Sequence, residues 1–527
     1  MRTLPTRRPL ASTAALLLAT TLLLTACATS ADRLVTGEAD AADPTPVHAP
    51  GPDRTGRTPK PAPAPEPRGS EDWRQHGPTA ARIAAYTTRI SAPAGTRVGL
   101  KVSTSERRYR VAAYRIGWYR GGTGTLVWRS APMAGHRQAA AVLRPVETRT
   151  VVAPWRRSLT LDTTRWIPGF YVLKLRTGTG FETLVPYVVS SPSAAGTVAL
   201  VAPVTTWQAY NQWGGYSLYA GPSGDRRSWA VSFDRPFNGA TGANDYRTAA
   251  IPVVVQAERL GIPLSYYTNV DLDQRPNLLV GAAGHVSMGH DEYWTRAMRR
   301  AVERARDGGT NLAFLGANTM YWRIRLDDTA RGPARLQTGY RADAQLDPLR
   351  QERPVEATSR FRDPPHASSE QSLLGMEYEC YPVEADYVIA SPTWWGFRHT
   401  GVVRGERLPG LVGPEADRVY LNASTPRPME VLSNTSYSCR GVPTTSQSVY
   451  YTTGSGAGVF TAGTLRWGCA LVDRCEHPLG ARVQRFVEQV TRNVLRAYAA
   501  GPVGLAHPAR DTVARYHLPD LNSVDAS

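Results

Sequence analysis

Between Trp73 and Ser191 apolar and polar positions alternate in short runs broken by Gly and Pro, as in Thr96–Thr104 and Tyr109–Tyr119. A period of two over such lengths predicts strands. Arg120-Gly-Gly-Thr-Gly reads as a turn, and Tyr171–Arg176 and Val185–Ser190 continue the rhythm. Strands at this spacing predict a β-sandwich of about 100 residues. From Gly196 the pattern changes. Strand-like Val198–Ala202 is followed by a long polar and aromatic loop, a helical run at Val253–Leu260 and a strand at Leu264–Tyr267. An apolar strand segment, Leu278–Met288, then leads to a stretch of helical composition, Thr295–Arg306, ended by Gly308-Gly309. Another strand, Asn311–Gly316, a strand and turn at Gly456–Thr464, and a closing helix at Gly480–Tyr498 complete the series. This alternation predicts a three-layer α/β domain with a mainly parallel sheet. The expected fold class is therefore an Ig-like β-sandwich followed by an amidotransferase-like (flavodoxin-like) α/β domain. Residues 327–398, rich in Arg, Pro and Asp without clear periodicity, read as an insertion packed around a site.

The first 27 residues differ from all of this. An Arg-containing start, an apolar run from Ala14 to Leu24 and then Leu24-Thr-Ala-Cys27 form a lipoprotein signal pattern. The run is too short to span a bilayer stably, so cleavage before Cys27 and lipidation of its thiol is the expectation, an ordinary secretory signal being the alternative. Either way the mature chain is exported. Pro and Ala dominate Ala42–Arg68, as suits an extended tether. The expected organisation is a signal at 1–27, a tether at 28–72, a sandwich at 73–195, an α/β domain at 196–500 and a loose tail at 501–527.

Composition refines this picture. With 42% hydrophobic and 20% charged residues over 527 positions, the chain is globular and long enough for two domains. The net charge of +17 comes from arginine, since Lys60, Lys101 and Lys174 are the only lysines. The arginines stand singly or in pairs with no basic block or nucleic-acid motif, which argues against nucleic acid and leaves room for attraction to acidic envelope polymers. Apart from Cys27 there are Cys380, Cys439, Cys469 and Cys475, an even number in an oxidising compartment. Three pairings are possible; Cys469 with Cys475 is the preferred short loop.

Candidate chemistry concentrates in Gly289-His290-Asp291-Glu292-Tyr293-Trp294, at a strand-to-helix junction. The next strand delivers Asn318, Tyr321 and Trp322 to its own carboxyl end, and a right-handed crossover places both clusters on one edge. Taken alone, the acidic pair could simply favour the positive end of a helix capped by Thr295. Trp207 to Tyr219 is too polar for core and too aromatic for a plain loop. It suits carbohydrate stacking, or a phenolate joining Glu292 on a hard metal ion. No His-Glu-x-x-His, Gly-x-Ser-x-Gly or Walker loop occurs, and no free cysteine sits at a strand end, so covalent serine or cysteine catalysis is disfavoured.

The series Trp207-Gln-Ala-Tyr-Asn, Ser217-Leu-Tyr219, Glu258-Arg-Leu-Gly, His290-Asp-Glu-Tyr-Trp, Gly316-Ala-Asn-Thr-Met-Tyr-Trp, Gly410-Leu-Val-Gly-Pro-Glu-Ala-Asp-Arg and Gly456-Ala-Gly-Val-Phe-Thr-Ala-Gly resembles the large (beta) subunit of N,N-dimethylformamidase, particularly its C-terminal domain. The sandwich ahead of it, with Tyr114-Arg-Ile-Gly-Trp-Tyr-Arg-Gly-Gly, resembles that family's as well. The resemblance implies a mononuclear non-haem Fe(III), held by two tyrosines and a glutamate, that hydrolyses a small amide. By motif the glutamate is Glu292 and one tyrosine is Tyr210. The other maps to Tyr219, with Tyr216 or Tyr246 as rivals because the family's insertion between its tyrosines is longer. His290 and Asn318 match polar residues beside the metal, where they could donate to a developing oxyanion. A proton-transfer glutamate falls on Glu415, with Glu377 and Glu379 as rivals. The known enzyme pairs with a small second subunit; a homo-oligomer is the other possibility here. An exported form would meet small-molecule amides of the envelope or environment. A different class remains open: a carbohydrate-binding or envelope scaffold that grips glycans around a degenerate hydrolase centre. Glycoside hydrolysis by paired carboxylates is a third reading.

Overall fold

The computed structural model describes residues 68–519, except 79–81, 223–225, 239–242 and 366. The signal at 1–27, the lipidation of Cys27 and most of the tether lie outside the described residues. Arg68 and Ser70 bridge to Arg120 and Gly124, so residues ahead of the expected boundary at Trp73 already pair with the first sheet.

The molecule is an α/β protein with many strands, mixed sheets and few helices. In the first half, a three-stranded sheet (Ile83–Thr87, Arg97–Thr104, Leu159–Asp162) accompanies a six-stranded one. The larger sheet is built on Arg108–Tyr119, Gly169–Thr177 and Glu182–Ser190. Alternation explains the packing, because Val98 and Leu100 from the small sheet and Val111, Leu173 and Val185 from the large one join one buried cluster.

The second half carries a seven-stranded sheet. Its strands are β1 (Val198–Ala202), β2 (Leu264–Thr268), β3 (Gly284–Ser287), β4 (Asn311–Phe314), β5 (Met429–Cys439), β6 (Val442–Thr452) and β7 (Gly458–Thr461). They lie in the order β2-β1-β3-β4-β7-β6-β5. Pairing is parallel from β2 through β7 and antiparallel across β7-β6-β5. β1, β3 and β4 are buried at every position, which is why β1 and most of β4 read as apolar runs and not as alternation. Five helices matter for the site: α1 (Val204–Tyr210), α2 (Ile251–Arg259), α3 (Asn269–Gln274), α4 (Arg296–Asp307) and α5 (Ala481–Ala499). Thr295 caps α4 by accepting from the Met298 N–H at 3.1 Å. α5 buries Val483, Phe486, Val487, Val490 and Val494 along one stripe against β1 and β3. α2 packs on strand Arg108–Tyr119, where Arg115 Nη2 lies 2.6 Å from Glu258 Oε1. The two halves thus share one core, which joins Ile116 and Val172 to Val198, Trp207 and Val253.

Several expectations need correction. The segment expected as an aromatic loop begins with a helix, since Trp207 and Tyr210 lie on α1. Leu278–Met288 is a strand only at Gly284–Ser287; Leu278 to Ala282 form successive turns instead. The 327–398 stretch, which shows no clear periodicity in sequence, carries regular elements: a hairpin of Arg325–Thr329 with Gly332–Thr338 opens it, and Glu377–Cys380 and Ala385–Val388 are strands. The chain after 501 is not loose up to Pro519, because Val513 is buried and Leu421 N–H donates to the Pro519 carbonyl. Cys469 pairs with Cys475, and Cys380 with Cys439. No helix among the described residues is long and apolar enough to cross a membrane.

Candidate active site

The parallel β3-α4-β4 unit brings the carboxyl ends of β3 and β4 side by side. They approach so closely that a Cβ on Gly316 would come within 2.3 Å of the Gly289 carbonyl oxygen. Gly289 itself has φ +80 and turns the chain so that the next three residues enter the crevice. A short parallel pairing of Tyr293-Trp294 with Trp322-Arg323 then ties the two loops together. Asp291 faces into the scaffold, accepting from Ser287 Oγ at 2.8 Å and from Asn269 Nδ2 at 3.3 Å. Burial pushes its carboxyl up to about 6, against those hydrogen bonds.

Glu292 faces the other way and is the centre of the site. Tyr210 Oη, at the end of α1, donates to Glu292 Oε2 at 2.9 Å. Tyr219 Oη lies 2.8 Å from Oε1 and 2.7 Å from Oε2, so one phenol spans both carboxylate oxygens. The two phenol rings stack with centroids 4.1 Å apart. Tyr293 Oη donates to Tyr219 Oη at 2.8 Å, extending the chain of hydroxyls. Burial raises all three phenols well above their ordinary range, and the nearby Glu292 charge adds to it. Burial likewise raises Glu292, with His290 opposing and Glu415 reinforcing the shift.

His290 is surrounded by carboxylates. Its Nε2 is 3.2 Å from Glu415 Oε2 and 3.5 Å from Glu292 Oε2, and its Nδ1 is 3.6 Å from Asp245 Oδ2. The Glu415 contact falls off the hydrogen-bond direction, so it is an ion pair rather than a hydrogen bond. Burial disfavours the imidazolium, but Glu415, Asp245 and Glu292 outweigh it and hold the ring well above its usual range. A cavity of about 260 Å³ adjoins this imidazole, lined by Asp245, Pro414, Arg466 and the Cys469–Cys475 bridge. Asn318 has φ 55 and is held through its backbone N–H on Asp417 Oδ1 at 2.8 Å. Its side-chain oxygen is buried without a hydrogen-bond partner among the described residues.

The rivals fall elsewhere. Tyr246 is buried against Trp207, and Tyr216 offers its carbonyl to Arg235. Glu377 pairs with Arg362 at 2.9 Å, and Glu379 with Arg418 at 3.3 Å. Tyr210, Tyr219, Glu292, His290 and Glu415 are thus brought together, with Asn318 alongside through Asp417.

Other members were not legible beforehand. Arg341 lies 3.8 Å over the Tyr219 ring, where the phenols and Glu292 raise its guanidinium against burial. Arg235, wholly buried, donates to the carbonyls of Asn211 at 2.8 Å and Tyr216 at 2.7 Å, pinning the loop between the two tyrosines. The only signal for Arg235 is its place between the aromatic residues Phe233 and Phe237; Asp245 and Arg341 carry none.

No cluster of three or more His, Cys, Asp or Glu side chains among the described residues suits a metal ion. The set around Glu292 is of another kind, two phenol oxygens and a carboxylate converging in a buried crevice. Such hard oxygen donors fit a hard, highly charged cation.

A family model described as N,N-dimethylformamidase beta subunit-like, C-terminal, matches residues 110–477, well over half of the chain. No curated protein matches. Among solved structures, a Paenibacillus sp. cycloisomaltooligosaccharide glucanotransferase complexed with cycloisomaltoheptaose aligns at 9% identity and a TM-score of 0.15. That alignment covers 25% of this chain and 19% of the other, and it carries no argument.

Proposed function

The chain belongs to the N,N-dimethylformamidase beta subunit-like family, and from that membership we propose that it hydrolyses carboxylic amide C–N bonds at an iron site formed by Tyr210, Tyr219 and Glu292. The family suggests an N,N-dimethylformamidase-like hydrolase. The observation that carries the site assignment is the convergence of both phenols on one buried carboxylate. When bound, ferric iron supplies a Lewis acid that polarises the amide carbonyl and acidifies water.

The chain's own residues do the rest. Tyr293 orients the Tyr219 hydroxyl, and Arg341 over the Tyr219 ring favours its anionic form. His290, cationic among three carboxylates, donates to the carbonyl oxygen as negative charge develops there. Asn318 is the second polar group beside that position. Glu415, paired with His290, takes the proton from attacking water and returns it to the nitrogen as the C–N bond breaks. The products are a carboxylic acid and an amine.

In the same reading the two halves are an Ig-like sandwich and an amidotransferase-like domain. The enzyme is exported and either tethered to the extracellular side of the cell membrane through lipidated Cys27 or secreted, where it meets small environmental or envelope amides. It acts as a homo-oligomer or with a small second subunit, and takes no nucleic acid. The test is amine release from N,N-dimethylformamide, N-methylformamide and acetamide by iron-loaded protein, beside Glu292→Ala. Turnover of an amide that Glu292→Ala abolishes supports the reading; turnover that survives the substitution contradicts it.

A further inference from the structure

A cavity of about 730 Å³ lies far along the chain from Glu292, on the face of the six-stranded sheet opposite the small sheet, at the end where Arg108 and Arg176 stand. Strand alternation builds it. Tyr109, Val111 and Ala113 point into the core, so Arg108 and Arg110 point out. Arg110 is register partner to Arg176 on one neighbouring strand, and Ala112 is partner to Arg129 on the other. Arg108, Arg110, Arg129 and Arg176 therefore converge on one face spanning three strands.

Like charges directly opposite each other across antiparallel strands are unfavourable. Little within the protein offsets them here. Glu182 holds Lys174 at 3.1 Å and reaches Arg176 at 3.6 Å, while its other oxygen accepts from the His76 and Gly77 N–H groups. Lys174 donates to the Asp72 and Arg74 carbonyls, at 2.9 and 2.6 Å. This buried pair fastens segment 72–77 as one wall of the cleft, and it leaves the arginines surplus. Among the described residues no carboxylate forms an ion pair with Arg108, Arg110 or Arg129. The lining holds five cationic side chains against two carboxylates, Asp72 and Glu182.

We propose that this cleft binds an extended polyanion whose repeating carboxylate or phosphate groups seat on Arg108, Arg110, Arg129 and Arg176. Guanidinium forks match both oxyanions in a bidentate manner, and the volume is that of a ligand site rather than a surface dimple. A polymer suits the geometry better than a single anion, because the charges spread across three strands. The proposal is independent of the amide-hydrolase reading.

The test is equilibrium binding of the exported chain, from Arg68 onward, to polygalacturonate, to polyphosphate and to neutral dextran at two salt concentrations. Arg110→Gln/Arg176→Gln should weaken polyanion binding at least tenfold and shallow its salt dependence. Arg300→Gln/Arg485→Gln, which removes equal charge from exposed helical positions, should change it less than twofold. Arg108→Gln, outside the like-charged pair, should weaken it at least threefold and keeps the test valid if the double variant folds poorly. Binding of only one polyanion assigns the anion as carboxylate or phosphate. No binding to either polyanion, equal binding to dextran, or equal weakening by the two double variants would overturn the proposal.

Discussion

The buried guanidinium of Arg235 donates to the backbone carbonyl of Asn211 at 2.8 Å, one residue beyond Tyr210. The same side chain reaches the carbonyls of Tyr216 at 2.7 Å and Trp213 at 3.2 Å. It thereby fixes the path by which two tyrosines, nine positions apart, come to stack on one carboxylate. Arg235→Met leaves these carbonyls without a donor, each costing about 1–3 kcal/mol where buried. The expected outcome is a loss of roughly 3–5 kcal/mol of stability, read by urea unfolding. Arg404→Met, at an exposed position, should cost less than about 0.5 kcal/mol.

The His290–Glu415 pair carries a prediction about coupling. His290→Gln and Glu415→Gln should each lower kcat by about 10²–10⁴ with a much smaller change in KM. The double variant should lose far less than the product of the two, because the groups act as one unit. Strictly multiplicative losses, measured in the same amide assay, would show that they work separately.

His285 on β3 gives a pH signature away from the phenols. It is fully buried between Trp294 and Phe314, with both ring nitrogens unpartnered, and burial lowers it from 6.5 to about 3. Between those values the unfolded chain binds a proton that the folded protein refuses. This contribution to stability is therefore intact above about pH 6.5 and is lost as pH falls toward 3, by about 5 kcal/mol in all. His285→Leu should lose stability less steeply than wild type on acidification. Parallel curves of unfolding free energy against pH would contradict it.

Loop length distinguishes the two disulfides. Cys380–Cys439 closes a separation of 59 residues and Cys469–Cys475 one of 6. Chain entropy puts their contributions at about 4 and about 2 kcal/mol. Paired Cys→Ser substitutions followed by urea unfolding should keep that order. The shorter bridge lines the cavity beside His290, so its loss should raise KM more than loss of the longer one.

Elements whose pattern is local were readable from sequence: the Thr295 cap, α5 with its Val and Phe stripe, and buried β1 and β4. α1 was not, because Thr205, Thr206 and Gln208 are all buried and bonded to distant backbone. Thr205 donates to the Tyr293 carbonyl at 2.7 Å, and Thr206 accepts from the Glu292 N–H at 2.9 Å. A helix whose polar side chains face inward has no amphipathic signature. The choice of Tyr219 over Tyr216 came by resemblance and was left open. The fold places Tyr219 on Glu292 because Arg235 and Arg341 act there from remote sequence positions. Long-range placement of that sort leaves no periodicity to read.

Metal stoichiometry with a visible spectrum decides whether Tyr210, Tyr219 and Glu292 hold iron as proposed. The chain from Arg68 onward, reconstituted with iron, should hold one equivalent and show a phenolate-to-metal charge-transfer band that Tyr219→Phe shifts or abolishes. A colourless protein that takes up no iron after reconstitution, or a band unchanged in Tyr219→Phe, would rule out a tyrosine-ligated iron site.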